Sequence, residues 1–138
     1  MQECGESALP VLRRMLSDPS LLKLHGDVIT SLTVAGGMKV ADELTQLVSY
    51  ELDFWKVTAP KLKEGWWNQI NEPETESLRD RYMKVYRALN SLKKLRFTGC
   101  RDIVIEFRDF WRSLPQLEDK SGLDQMTEEC DKILEGLP

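Results

Sequence analysis

Residues 73–97 read PETESLRDRYMKVYRALNSLKKLRF, and the spacing of their side chains decides the fold class. Their apolar members recur at steps of four, three, four and three: Leu78, Tyr82, Val85, Leu89 and Leu92. The basic residues of the opposite face are Arg79, Lys84, Arg87 and Lys94. Such steps follow the turn of an α-helix and give it one apolar and one charged face. Because proline suits the first turn and glycine ends a helix, we predict a long amphipathic helix from Pro73 to just before Thr98-Gly99.

The same three- and four-residue steps recur along nearly the whole chain, and no convincing alternating run indicates a strand. The predicted helices run from about Ser7 to Ser17, from Asp18 to Gly36, from Met38 to about Val57, around Gly65 to about Asn71, from Pro73 onwards, up to Pro115, and from about Ser121 onwards. We therefore predict an all-α fold, a compact bundle of six to seven helices in which the helix from Met38 is central. A short stack of helical hairpins, of the HEAT or armadillo kind, is the alternative.

Length and composition predict one folded domain that spans residues 1–138. The chain has 138 residues, 41% of them hydrophobic, and a formal net charge of -4. No apolar run approaches the roughly 20 residues that span a bilayer, and the N-terminus lacks the basic and apolar regions of a signal peptide. The three cysteines match neither a disulfide framework nor a metal-binding motif. We expect an intracellular protein, cytoplasmic or nuclear, without a membrane partner.

The four tryptophans are the most individual feature of the composition. The tetrapeptide Asp53-Phe54-Trp55-Lys56 returns as Asp109-Phe110-Trp111-Arg112, but the neighbouring residues differ, so we interpret the two as independent helix ends with rings in the core. Trp66 and Trp67 are adjacent, and adjacent helix residues point about 100° apart. Both rings are buried only if two sides of that helix are covered. These two are therefore candidate contacts to a partner protein.

Charge is unevenly distributed along the chain. Residues 74–101 hold 8 basic and 3 acidic groups, whereas the segments on both sides are acidic. The basic strip consists of Arg79, Arg81, Lys84, Arg87, Lys93, Lys94, Arg96 and Arg101. Such a strip is a solvated or internally paired face, a docking surface for an acidic protein segment, or a nucleic-acid contact. Its members Arg79, Lys84, Arg87 and Lys94 join Trp66 and Trp67 as predicted partner-binding residues.

Sequence motifs for catalysis are missing. His25 is the only histidine, so a catalytic triad or a histidine metal site would have to use it, and we expect an ordinary surface or half-buried side chain instead. No phosphate-binding loop, dinucleotide fingerprint or nucleophile elbow occurs. Cys100 lies beside Arg101 at a predicted helix start, where a thiol pKa can be lowered, whereas Cys130 lies on an apolar stripe. We expect no cofactor and no bound metal.

These observations favour a non-catalytic interaction module, an adaptor or scaffold that binds a partner protein through an aromatic and hydrophobic surface. The alternative is a helical domain that binds nucleic acid with the basic strip 79–101, although no zinc-finger spacing or other reading motif accompanies it. An enzyme that relies on carboxylates or on Cys100 is the least favoured hypothesis.

Overall fold

The computed structural model describes residues 6–63, 65–66, 73–114 and 123–138. Every regular element in these ranges is helical, and none is a strand. The α-helices are α1 (Leu9–Leu16), α2 (His25–Gly36), α3 (Ala41–Thr58), α4 (Pro73–Leu95), α5 (Arg101–Arg112) and α6 (Leu123–Gly136). Five of them have 12 residues or more, whereas α1 has only 8. The all-α prediction is confirmed. Counted by the five longer helices of the described residues, the predicted number of six to seven is slightly too high. Most of the short helix expected around Gly65 lies outside the described residues.

Short 3₁₀ turns connect several of these helices: Pro19–Leu24, Gly37–Val40, Ala59–Lys61 and Thr98–Cys100. Asp18 caps the first turn, because its Oδ1 accepts hydrogen bonds from the backbone nitrogen of Ser20 at 3.0 Å and from its hydroxyl at 2.7 Å. The predicted second helix therefore begins as a 3₁₀ turn at Pro19 and becomes α-helical only at His25.

The glycine pair that was predicted to end the second helix does so. Gly37 has a φ of 55°, in the region that glycine adopts more readily than any other residue. A Cβ atom on Gly36 would lie 2.5 Å from Cγ1 of Val40 and 3.3 Å from Cδ2 of Leu9. The turn between α2 and α3 thus needs one glycine for its backbone conformation and the other for its lack of a side chain.

The longest helix, α4, has 23 residues and occupies the centre of the fold, where α2, α3 and α6 all pack against it. The helix that was expected to be central corresponds to α3, which packs on α4 and α5. The expectation underestimated the buried face of α4: Ala88 and Ser91 are buried in addition to the predicted stripe. One contiguous cluster of buried residues has members in all six helices.

The core is aromatic where α3, α4 and α5 meet. Trp55 and Trp111 are both buried, with ring centroids 5.3 Å apart and planes at 73°, an edge-to-face arrangement. Phe107 stacks on Trp111 at 5.6 Å, and Tyr82 lies 6.0 Å from the same indole. The core positions predicted for the two echoed tryptophans are confirmed.

Candidate binding site on α4

Internal contacts engage half of the basic strip. Arg81 binds Glu51 of α3 in two places: Nη2 lies 2.6 Å from Oε2, and Nε lies 3.2 Å from Oε1. Its guanidinium also lies over the ring of Phe54, with Cζ 3.5 Å from the ring centroid. Both contacts hold α4 against α3, so Arg81 is a structural cation.

Three further cations of the strip hold the C-terminal part of the chain. Lys93 Nζ lies 2.6 Å from Oε1 of the buried Glu129 on α6, close enough for an ion pair although the atoms are not aligned for a hydrogen bond. Arg96 donates to the backbone carbonyl of Gly136 at 3.2 Å, and Arg101 donates to that of Pro138 at 3.4 Å. These side chains therefore have partners within the protein.

The other four cations have no acidic partner within ion-pair distance among the described residues, and they are the four predicted from the sequence: Arg79, Lys84, Arg87 and Lys94. Their surroundings differ. Burial lowers the pKa of Lys84, partly offset by the nearby carboxylate of Glu51. Arg79 has its Nε buried. Arg87 and Lys94 line a common pocket.

This pocket, the α2–α4 pocket, has a volume of about 340 Å³ and opens between the two helices. The residues that line it are Thr30, Thr33 and Val34 from α2 and Arg87, Asn90, Ser91, Lys93 and Lys94 from α4. No acidic side chain is among them. Because the charge of Lys93 is balanced by Glu129, the pocket has two unbalanced positive charges, and it favours an anionic ligand.

Hydrogen bonds fix the hydroxyl groups of the pocket. The hydroxyl of Thr33 lies 2.7 Å from that of the buried Ser91 and 2.8 Å from the carbonyl of Ile29. Thr30 donates to the carbonyl of Gly26 at 3.3 Å. The threonine protons are thus directed to carbonyls of their own helix. Helical spacing does not predict this polar contact, because Thr33 and Ser91 lie 58 positions apart in the sequence.

Arg87 is positioned by the absence of a side chain at Gly26. A Cβ atom at Gly26 would lie 3.3 Å from Cγ of Arg87 and 3.9 Å from the carbonyl oxygen of Met83. The aliphatic part of Arg87 therefore packs directly on the backbone of α2, next to the pocket that this residue lines.

The structure corrects the expectation for the aromatic contacts. Trp66 is only 3% exposed and its ring centroid lies 6.2 Å from that of Trp55, so its indole belongs to the core and offers no surface for a partner. Trp67 lies outside the described residues. Among the described residues, the exposed aromatic ring is that of Tyr50 on α3, 73% exposed, with Val57 exposed two turns further along the same helix. Isolated exposed side chains of this kind carry no sequence signal of their own.

His25 is buried, at 2% exposure, and not the surface or half-buried side chain expected. Its Nε2 lies 2.9 Å from the carbonyl of Met15 and 3.0 Å from that of Asp18, so a proton on this nitrogen serves as the donor. Burial and the charge of Lys84 lower the pKa of the imidazole. Through these contacts His25, at the start of α2, holds the end of α1 and the cap of the 3₁₀ turn Pro19–Leu24.

The two cysteines in the described residues, Cys100 and Cys130, lack the environment of a reactive thiol. Cys100 and Cys130 are both buried. Burial raises the pKa of Cys100, only partly offset by Arg101, and burial together with Asp131 raises that of Cys130 to about 12. The lowered pKa considered for Cys100 is therefore wrong, and the packed position predicted for Cys130 is confirmed.

In the part of the chain that the structure describes, no group of three or more histidine, cysteine, aspartate or glutamate side chains is arranged to hold a metal ion. No helix in those ranges is long and apolar enough to cross a membrane. Comparisons with protein-family models, curated proteins and solved structures find no match.

Proposed function

We propose that this chain is a non-catalytic helical bundle, an adaptor or scaffold module of the cell interior, that binds an acidic segment of a partner protein at the α2–α4 pocket. The observation that carries the proposal is the pair Arg87 and Lys94, two cations that line one pocket and have no acidic partner within ion-pair distance in the described part of the chain. In a soluble protein an unbalanced positive cleft attracts anions and raises their local concentration. The packing of the helices supports a bundle over a stack of helical hairpins. Helices α2 and α3 follow each other in sequence, and both pack on α4.

The rim of the pocket adds a contact for an apolar residue of the same segment. Val34 is 84% exposed and lines the pocket beside the two cations. A surface that combines arginine with an apolar side chain is typical of protein interfaces. The surface that supports the proposal is therefore cationic with an apolar rim, and it replaces the tryptophan surface that the sequence suggested.

Nucleic-acid binding by the whole basic strip 79–101 is less favoured. Arg81, Lys93, Arg96 and Arg101 already contact the protein itself. Because the salt-dependent affinity for nucleic acid grows with the number of phosphates that are neutralised, a reduced strip binds weakly. Nucleic-acid binding is one of the outcomes that the test distinguishes.

The test compares four immobilised proteins for the proteins they capture from a cell lysate: wild type, Arg87→Glu/Lys94→Glu, Lys23→Glu/Lys61→Glu, and Tyr50→Ala/Val57→Ala. The second and third change the net charge equally, and Lys23 and Lys61 are exposed residues away from the pocket. Peptide arrays of each captured protein then locate the segment that binds. We expect partners that are lost only with Arg87→Glu/Lys94→Glu, that bind through acidic segments, and that dissociate as salt is raised.

Three outcomes would overturn the proposal. Capture lists that are unchanged by Arg87→Glu/Lys94→Glu exclude the pocket as the interface. Loss only with Tyr50→Ala/Val57→Ala places the interface on the exposed side of α3. Binding of duplex RNA or DNA by wild type, abolished by the Arg87→Glu/Lys94→Glu change and without a captured protein, favours the nucleic-acid alternative.

A further inference from the structure

Three side chains of α4 that line the α2–α4 pocket carry hydrogen-bond donors and lie on one side of that helix. They are Arg87, Asn90 and Lys94, spaced by three and four residues and therefore stacked one turn apart. Thr30 and Thr33 direct their protons to carbonyls of α2. A ligand is thus offered charged and amide donors from α4 alone, which suits a group rich in acceptor atoms.

The charge of the pocket matches a dianion better than a single carboxylate. Arg87 and Lys94 provide two unbalanced positive charges, since Lys93 is paired with Glu129. A carboxylate has one negative charge and can contact both cations, but it would leave one of the two positive charges unbalanced. A phosphomonoester carries about -1.5 to -2 charges at neutral pH and has three strong acceptor oxygens, which equal the donor groups in number.

The size and the preorganisation of the pocket agree with this chemistry. A volume of about 340 Å³ exceeds by far the share of a single water molecule, about 30 Å³, and leaves room for a phosphate and the first atoms of its carrier. Arg87 is held against the backbone at Gly26, and the buried Ser91 is tied to Thr33. Guanidinium groups held in this way recognise phosphate with two parallel hydrogen bonds.

We propose that the α2–α4 pocket binds a phosphorylated side chain of the partner protein, with Arg87 and Lys94 as the phosphate ligands and Asn90 as the neutral donor. This inference rests on the proposed function and specifies the chemistry of the acidic segment. It predicts that the interaction is switched on by phosphorylation of the partner and needs no enzymatic activity of this chain.

The test is an NMR titration of the ¹⁵N-labelled full chain. The probes are two short peptides of identical sequence, one with a central phosphoserine and the other with glutamate in its place. We expect the phosphopeptide to shift the amide signals of residues 30–34 and 87–94, and the glutamate peptide to bind about tenfold more weakly because it offers less charge and fewer acceptors. Arg87→Gln/Lys94→Gln abolishes phosphopeptide binding, whereas Lys23→Gln/Lys61→Gln retains it. Unchanged far-UV circular dichroism shows that both variants fold.

The results separate this inference from the proposed function. Equal binding of the two peptides overturns the preference for phosphate and leaves the acidic-segment proposal standing. Absence of phosphopeptide binding, while protein capture is still lost with Arg87→Glu/Lys94→Glu, overturns the phosphate inference alone. Adenosine monophosphate or a 5′-phosphorylated oligonucleotide that binds the same residues more tightly than the phosphopeptide assigns the phosphate to nucleic acid and overturns the peptide inference.

Discussion

Glu51 of α3 and Arg81 of α4 form an ion pair that is buried on one side only. The carboxylate is 1% exposed at its side chain, whereas a quarter of the Arg81 side chain remains exposed. The shortest contact, between Oε2 and Nη2, is 2.6 Å. The two partners are therefore not equivalent, because removal of the arginine strands a buried charge and removal of the glutamate leaves a cation that can reach water.

This asymmetry predicts that Arg81→Met destabilises the protein more than Glu51→Gln. We expect a loss of about 3 kcal/mol in the free energy of unfolding for Arg81→Met, from the uncompensated carboxylate, and about 1 kcal/mol for Glu51→Gln. Urea unfolding followed by circular dichroism measures both. Equal losses would show that Lys84, whose charge also interacts with Glu51, replaces Arg81.

The second prediction concerns the aromatic core. Trp111→Ala should lower the free energy of unfolding by about 4 kcal/mol, since it removes the ring that contacts Trp55, Phe107 and Tyr82. Trp111→Phe should lower it by only about 1 kcal/mol, because a ring remains and a buried indole N–H without an acceptor among the described residues disappears. The matched control is Tyr50→Ala, which changes an exposed ring and should stay within about 0.5 kcal/mol of wild type. A large effect of Tyr50→Ala would contradict its exposed position.

The periodicity of α4 predicted much of the candidate site, because Arg87 and Lys94 had to lie opposite the stripe of Tyr82 and Leu89. It could not predict the pocket itself, which requires the register between α2 and α4 and the contact of Thr33 with Ser91. Side chains far apart in sequence decide that contact, and helical spacing carries no information on it.

The sequence did not predict the burial of Trp66 and His25 either, because contacts with other elements decide it. Trp66 is covered by Trp55, and His25 is buried with its Nε2 beside the carbonyl of Met15. Each partner lies about ten positions away and in a different element. From the sequence alone, we expected Trp66 to contact a partner and His25 to be an ordinary surface or half-buried side chain. Packing against other elements buries both.

Stability should depend on pH through His25. The folded protein holds the pKa of this imidazole below its unfolded value, so the stabilisation is fully present above about pH 6.5 and is lost as the pH falls towards the folded pKa, where only the unfolded chain has bound the proton. Burial and the charge of Lys84 lower this pKa, whereas the backbone carbonyls of Asp18 and Met15 and the charge of Glu51 oppose the shift. We expect the free energy of unfolding of wild type to fall more than that of His25→Gln between about pH 7 and pH 5. Parallel pH curves for the two proteins would exclude His25 as the titrating group.

The thiols should be protected in the folded protein. Cys100 and Cys130 are buried and burial raises the pKa of both, so alkylation by iodoacetamide at neutral pH should require unfolding. Peptide mass mapping identifies the modified residue and separates both from Cys4, which lies outside the described residues. Alkylation of Cys100 at the same rate with and without urea would restore the hypothesis of a reactive thiol.

The last prediction separates stability from binding at a single position. Gly26→Ala adds a methyl group that would lie 3.3 Å from Cγ of Arg87, so the arginine must move by a few tenths of an ångström. Alanine is the better helix former, and the change should leave the free energy of unfolding unaltered or raise it by up to about 1 kcal/mol. Affinity for the phosphopeptide should nevertheless fall about threefold, because the guanidinium loses its preorganised position. Gly136→Ala, where nothing lies within 4 Å of the added Cβ, is the matched control and should leave the affinity unchanged. Gly26→Ala with undiminished affinity would show that the placement of Arg87 on α2 does not determine binding.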